Sequence, residues 1–413
     1  MLLALKNFEI LLVTDSYPPE IRSASHLMLE LAEELHSRKH HVTVITTWPG
    51  YNLDQDATAR SFSEKEIENG ITVLRVKTLP HHNVNYLLRG VAQLLMPVKF
   101  LRKLRQYDII PDAVVVYSPP LPLALVGSWL QRSNVRFLMN VQDLFPQNAI
   151  DLGILGNPLQ IIFFRALEKY AYRTAEIVTV HSEGNIRFIQ KQYPNLASKF
   201  QILHNWVDID HHESGVSQTD FREKWNIQQK DVAIFAGVMG PSQYLKLLLQ
   251  VAEQMQDHTE LLFLLVGDGQ EKEKLQKMAQ EKSLSNVRFE GFVSREEYPD
   301  LLQICSIGLV CLNPLNKTPV VPGKILGYMA AGLPVAAFLQ SSSDGHGVIE
   351  SAKCGFSADS VDKDACVQSM RTLLSQRDSF AKLGQNGKSY ATEHVSKEVC
   401  VSQLESMLED SAS

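Results

Sequence analysis

The chain has 413 residues, more than one ordinary core fills and enough for two domains of about 200 residues each. Apolar residues make up 45% and charged residues 21%, which excludes a disordered chain. The net charge of −6 excludes bulk nucleic-acid binding, because a phosphate backbone needs a basic footprint.

The N-terminal MLLALKNFEILLVTDSY carries Lys6 inside its apolar run and no small-residue cleavage pattern before Asp15. It therefore reads as a first strand over 9–14 rather than a signal sequence. The next segment places Leu27, Leu31 and Leu35 on one helical face, with Glu30, Glu33 and Glu34 turned outward. VTVITT, ITVLRV, AVVVY, RFLMNV, IVTVHS and QILHN follow as further strands, apolar on both faces, as a parallel sheet covered by helices requires. The polar stretch VDIDHHESGVSQTDFREKW interrupts the rhythm, with a domain boundary expected within 208–220. The alternation restarts at DVAIFAG and runs through LLFLLVG, VRFEGFV, IGLVCL and PVAAFL. The expected organisation is a domain over 1–207, a second over 208–392, and a C-terminal helix and tail over 393–413 that packs back on the first. No stretch offers the ~20 uninterrupted apolar residues of a membrane-spanning helix.

Cys305, Cys311, Cys354, Cys366 and Cys400 form no CxxC pair, as expected of reduced thiols in a cytoplasmic protein. The adjacent pairs His40-His41, His81-His82 and His211-His212 point apart on any regular element, so surface histidines are expected there rather than metal sites.

Three segments of the second half bear on phosphate binding. FAGVMG is a strand followed by a turn with Gly237 and Gly240, where the backbone can approach an anion. LLFLLVGDG sets Gly267-Asp268-Gly269 at a strand end. VVPGKILGYMAAGLPV places Gly323 and Lys324 at the start of a helix, where a cation and free N–H groups converge. Each is also compatible with a plain turn, and neither GxGxxG nor GxxxxGKS is present.

The succession YPPE, QDLFP, NWVD, FAGVMG, LLVGDG, VRFEGFV and PGKILGYMAAGLPV, from about Phe8 to His394, resembles retaining glycosyltransferases of family 4. The resemblance implies the α/β GT-B fold: two facing Rossmann-like, doubly wound parallel-sheet domains, the second holding a nucleotide-sugar donor and the first an acceptor. SASHLMLELAEEL, VQDLFPQNAIDLGIL and HNWVD further resemble the members that assemble bacterial surface polysaccharides, including fucosamine transferases of O-antigen clusters. That likeness implies a UDP-linked donor and a lipid-linked glycan acceptor.

The departures are specific. The two carboxylates of the family's Glu-x7-Glu motif fall on Pro319 and Gly327, and a lysine that binds the donor diphosphate in many members falls on Gln243. The glycine-rich loop after YPPE is replaced by Ile21-Arg22-Ser23-Ala24-Ser25, and a histidine common before the aspartate of QDLFP is replaced in Gln142-Asp143. A donor diphosphate carries about two negative charges that need neutralising once water is excluded. Lys324 is the best-placed cation of the second half, with Gly237, Gly240, Gln243 and Gly323 beside it, and Arg22 is a candidate from the first. Gln142 and Asp143, at a strand end, are the candidates for the reacting centre; Asp143 alternatively caps a turn.

Between His81 and Tyr107 there is no acidic residue, but Arg89, Lys99, Arg102, Lys103 and Arg105 alternate with leucines. Such a basic amphipathic stretch can lie on an anionic membrane surface, placing the protein peripherally on the inner face of the plasma membrane; an ordinary helix pair packed on the sheet competes with that reading. Gly90 and Pro97 predict two short helices within 85–105.

The resemblance implies transfer with retention and no metal cofactor; Asp208-Ile209-Asp210 matches DxD but falls in the linker. Loss of both motif carboxylates leaves open a non-catalytic GT-B partner protein, and a GT-B-fold epimerase or hydrolase of sugar nucleotides is a further alternative.

Overall fold

The computed structural model describes residues 7–50, 53, 61–81, 84, 86–213 and 219–410. Its contacts divide the chain into two units, Met1–His204 with Lys397–Ser413, and Asn205–Ser396. His82, Asn85 and residues 214–218 of the polar stretch lie outside the described residues.

The first unit is built on an eight-stranded sheet of order β3-β4-β2-β1-β5-β6-β7-β8. The strands are β1 (Glu9–Val13), β2 (His41–Thr47), β3 (Lys65–Glu68), β4 (Ile71–Val76), β5 (Ala113–Ser118), β6 (Arg136–Val141), β7 (Ile177–Val180) and β8 (Phe200–Ile202). All neighbours pair parallel except β3, which lies antiparallel on β4 at the edge. The second unit has six parallel strands in the order β11-β10-β9-β12-β13-β14: β9 (Asp231–Ala236), β10 (Leu261–Val266), β11 (Val287–Glu290), β12 (Ile307–Cys311), β13 (Val335–Leu339) and β14 (Gly355–Asp359). Along β9, Val232 and Ile234 join one apolar layer and Ala233 and Phe235 the other, so the sheet is covered on both faces. In both units the strand order reverses beside the first strand, between β1 and β5 and between β9 and β12. Crevices outside the carboxyl ends of strands at such reversals are where doubly wound sheets bind ligands.

Sequence patterning passes over β3 and β14. In KEIE the lone apolar residue, Ile67, is 74% exposed, so no burial pattern marks the strand. In β14 a glycine leads a half-buried edge strand; a Cβ at Gly355 would lie 1.9 Å from the Val335 carbonyl oxygen. Helix α1 (Ser23–Ser37) buries Met28, Leu31, Ala32 and Leu35, and also Glu30, which its sequence pattern turned outward.

Helix α2 (Tyr86–Gln106) corrects the expected pair of short helices: it is one element of 21 residues with Pro97 inside. Ala92, Met96, Phe100 and Leu104 recur at four-residue spacing and are buried, three of them in the first unit's core. Burying each large apolar side chain contributes about 1.5–3 kcal/mol, so together they outweigh the ~3 kcal/mol cost of a proline in a helix interior. Helices α3 (Ala124–Leu130), α4 (Gln147–Asp151) and α5 (Pro158–Thr174) follow. Asn157 caps α5, its side-chain oxygen accepting from the Leu159 and Gln160 N–H groups.

The helix Lys397–Asp410 belongs to the first unit. Arg38, just past α1, donates to Glu405 and to the Ser402 hydroxyl at 2.8 Å, and Gln403 donates to the Ile202 carbonyl at 2.8 Å. His40, expected at the surface, is buried beneath this helix. Its Nδ1 accepts from the Phe8 N–H at 3.2 Å, which leaves Nε2–H to donate to Glu405 at 2.9 Å. All five cysteines are buried and unpaired with one another.

Candidate active site

In the second unit, the turns after β9 and β10 interlock. Gly237, Gly267 and Gly269 all have positive φ, at 144°, 134° and 150°. A Cβ at Gly267 would lie 2.1 Å from the Gly237 carbonyl oxygen, and one at Gly269 within 2.8 Å of the Met239 backbone, so side chains are excluded at both. The turns are tied by Gly237 N–H to the Val266 carbonyl (2.9 Å), Met239 N–H to that of Asp268 (2.7 Å) and Glu271 N–H to that of Met239 (3.1 Å). Lys272 donates to the Gly267 and Glu290 carbonyls at 2.8 and 3.1 Å, drawing in the end of β11.

Lys324 reaches the same turn from the helix Gly323–Ala330. That helix is fixed by Tyr328, one turn on, whose buried hydroxyl donates to the Ile234 carbonyl (3.0 Å) and accepts from the Ala236 N–H (3.1 Å). Gly308 makes room for it: a Cβ there would lie 2.3 Å from the Tyr328 ring. The Lys324 ammonium lies 3.0 Å from Gln243 Oε1 and 5.0 Å from the centre of the Phe235 ring, and a Cβ at Gly237 would meet its Cε at 2.8 Å. Lys324 keeps some accessible surface but is hemmed in by protein, and loss of hydration lowers its pKa to about 8. Thus Gly237, Gln243 and Lys324 come together. Gly240 opens the short turn Pro241–Gln243 at φ −118°, and Gly323 is exposed at the helix start; a Cβ at either would meet nothing within 4 Å. Gly327 likewise faces open space, so the missing carboxylate leaves a gap rather than a filled position.

In the first unit a second cluster forms at the carboxyl ends of β1, β5 and β6. Arg22 pairs with Asp15 at 3.4 Å, and the Asp15 and Glu20 carboxylates keep its guanidinium charged against the cost of burial. Asp143 is accessible along one side yet surrounded by protein, which raises its pKa, and its side chain makes no hydrogen bond among the described residues. Tyr117 is buried within the electrostatic reach of Asp143 and Asp15, and its pKa is raised by burial first and by those charges second. Gln142 turns away from this group: its Nε2 donates to Asn140 Oδ1 at 3.0 Å. His81 is buried beside Asp15, Arg22 and Arg89, and burial lowers its pKa. Asp15, Tyr117 and His81 escape motif reading, although a carboxylate directly after an apolar strand is the signal that marks Asp15.

The basic residues of α2 divide. Arg89 and Arg102 are exposed, whereas Lys99 donates to the Lys77 carbonyl at 2.8 Å, Lys103 pairs with Glu64 at 2.8 Å, and Arg105 lies 4.4 Å over the Trp129 ring. Asp208 of the DxD pattern accepts from the His211 N–H at 3.1 Å, at the start of the short helix Ile209–Glu213. Among the described residues no helix is long and apolar enough to cross a membrane.

Comparison with known proteins agrees with this division. Residues 24–206 match the glycosyl transferase 4-like domain, and residues 217–390 match glycosyl transferases group 1. The chain is 24% identical over 345 residues to the putative colanic acid biosynthesis glycosyl transferase WcaI of Escherichia coli, covering 78% of this chain and 81% of that one. Its fold is similar to that of sucrose-phosphate synthase from Thermosynechococcus elongatus (TM-score 0.78, 15% identity, 98% and 99% of the two chains). It is also similar to Anabaena HepE in complex with UDP and glucose (TM-score 0.72, 16% identity, 98% and 100%). With a glycosyl transferase 4-like domain on its first sheet and a group 1 domain on its second, the chain is a glycosyltransferase of the GT-B type.

Proposed function

We propose that this glycosyltransferase moves a sugar, with retention of configuration, from a UDP-linked donor to a lipid-linked glycan acceptor in surface polysaccharide assembly. The observation that carries the donor half is the meeting of Lys324 with the side-chain-free Gly237 turn, 3.0 Å from Gln243. A diphosphate placed there would meet backbone N–H groups, one ammonium and the free N–H groups of a helix start, and no carboxylate of the Gly237–Gln243 segment opposes it. The same donors would stabilise the leaving phosphate without a metal ion. HepE, of similar fold, binds UDP, which favours that base.

The acceptor half rests on the first unit. Asp143, raised in pKa and open on one side, would hold a hydroxyl of the acceptor or of the sugar, with Arg22 close by; among the described residues of the second unit no carboxylate pairs with Lys324 to act as nucleophile, which favours same-face substitution. The outward side of α2, with Val91, Leu95 and Val98 about half exposed and Arg89 and Arg102 among them, would rest on an anionic membrane at the cytoplasmic face of the plasma membrane.

The test is calorimetric titration with UDP and GDP, followed by transfer from a panel of nucleotide sugars to an isoprenyl-diphosphate-linked glycan, with the anomeric configuration of the product read by NMR. UDP binding and a retained configuration support the proposal; failure to bind either nucleotide overturns it. Flotation on anionic liposomes that weakens with salt, and further in Arg89→Glu/Arg102→Glu, tests the membrane contact.

A further inference from the structure

A cavity of about 440 Å³ opens in the first unit between α2, the turn at Pro119–Leu121, and α4 and α5. Leu94, Leu121, Leu155, Phe163 and Phe164 make its walls mostly apolar, while Asp143 and Arg89 are the charged residues lining it. Its size is that of a small-molecule site. A base or ribose there would lose hydrogen bonds to water against apolar walls, so the walls select a hydrocarbon.

Two further observations say which hydrocarbon. Gly90 lines the cavity from within α2, where glycine weakens a helix, yet a Cβ there would meet nothing within 4 Å. No neighbouring backbone demands a glycine at this place; its missing side chain keeps the cavity wide. At the rim, Arg89 lines the cavity and is exposed, so a guanidinium group stands where the cavity meets solvent. The occupant must therefore be apolar along its length and anionic at one end.

We propose that this cavity binds the apolar chain of a single-chain anionic lipid, with its phosphate beside Arg89. Only the identification of that lipid as the acceptor rests on the transferase reading above. Val91 and Phe163, lining the cavity and about half exposed, and Ile162, 65% exposed on α5, give the chain an apolar path to the cavity mouth.

The test uses the full chain and farnesyl phosphate, with inorganic phosphate and UDP titrated in parallel. Farnesyl phosphate should bind roughly tenfold or more tightly than inorganic phosphate. Gly90→Phe, and Ala149→Phe on the opposite wall, should each weaken it roughly tenfold, while Gly90→Ala stays near wild type and UDP affinity is unchanged. Arg89→Gln should weaken both phosphates. Urea unfolding of each variant, set against wild type, reports that the first unit is folded. Equal affinity for the two phosphates, or full farnesyl phosphate affinity in both filled variants, overturns the cavity proposal while leaving the transferase reading intact. Farnesyl phosphate binding in a protein that binds no nucleotide does the reverse.

Discussion

The two clusters sit at the same place in two similar sheets but are made of different material. In the second unit the strand-end site is backbone: three glycines at positive φ, turns locked by main-chain hydrogen bonds, and one lysine held 3.0 Å from a glutamine. In the first it is side chains: a carboxylate open on one side, an arginine paired at 3.4 Å, a buried tyrosine and an apolar cavity. Backbone donors suit a group common to many substrates, such as a diphosphate, because their geometry barely changes with sequence. Side chains and cavities suit the partner that varies between enzymes. Substitutions should therefore be disabling in the second cluster and specificity-changing in the first.

The sharpest way to break this contrast is Gly267→Val. Its Cβ would press on the Gly237 carbonyl at 2.1 Å in a backbone conformation that β-branched residues avoid, so a loss of about 3 kcal/mol in urea unfolding is expected, with nucleotide binding lost. Next, Lys324→Ala should weaken UDP binding by about 1.5–3 kcal/mol in calorimetry, the range for a hydrogen bond to a charged group, and leave the fold intact. Glu405→Ala, outside both clusters, should cost about 2 kcal/mol by removing the acceptor of Arg38 and His40, with UDP affinity unchanged. The mildest effect is that of pH. Lys324, lowered to about 8, is charged below that value and neutral above it, so UDP affinity should fall as pH rises from 7 to about 9.5. The same titration in Lys324→Ala should be flat; a matching fall there would assign the effect to another group.

The alternation of apolar runs with helical segments gave both sheets, because buried parallel strands such as LLFLLV are apolar on both faces. It missed two of the four edge strands, since β3 and β14 bury too little to show a pattern. The prediction of two helices within 85–105 failed for an instructive reason: Pro97 is a local signal, whereas the anchoring of Ala92, Met96, Phe100 and Leu104 is tertiary. Glycines and Lys324 stood out in the second cluster because such turns need particular residue types at fixed spacing. The first cluster is gathered from β1, the β4–α2 connection, β5 and β6, so no spacing in the sequence announces that Asp15, His81, Tyr117 and Asp143 are neighbours.

The closing helix Lys397–Asp410 has a consequence for synthesis. A ribosome releases the first 204 residues long before the 14-residue segment that covers Arg38 and His40 exists, so the first unit emerges with that face bare. The second unit can fold meanwhile from a continuous stretch, Asn205–Ser396. The part made first is thus completed last. A fragment ending at residue 204, or a fusion that disturbs the last turns of the chain, should yield an aggregation-prone first unit even though the altered residues lie far from it in sequence.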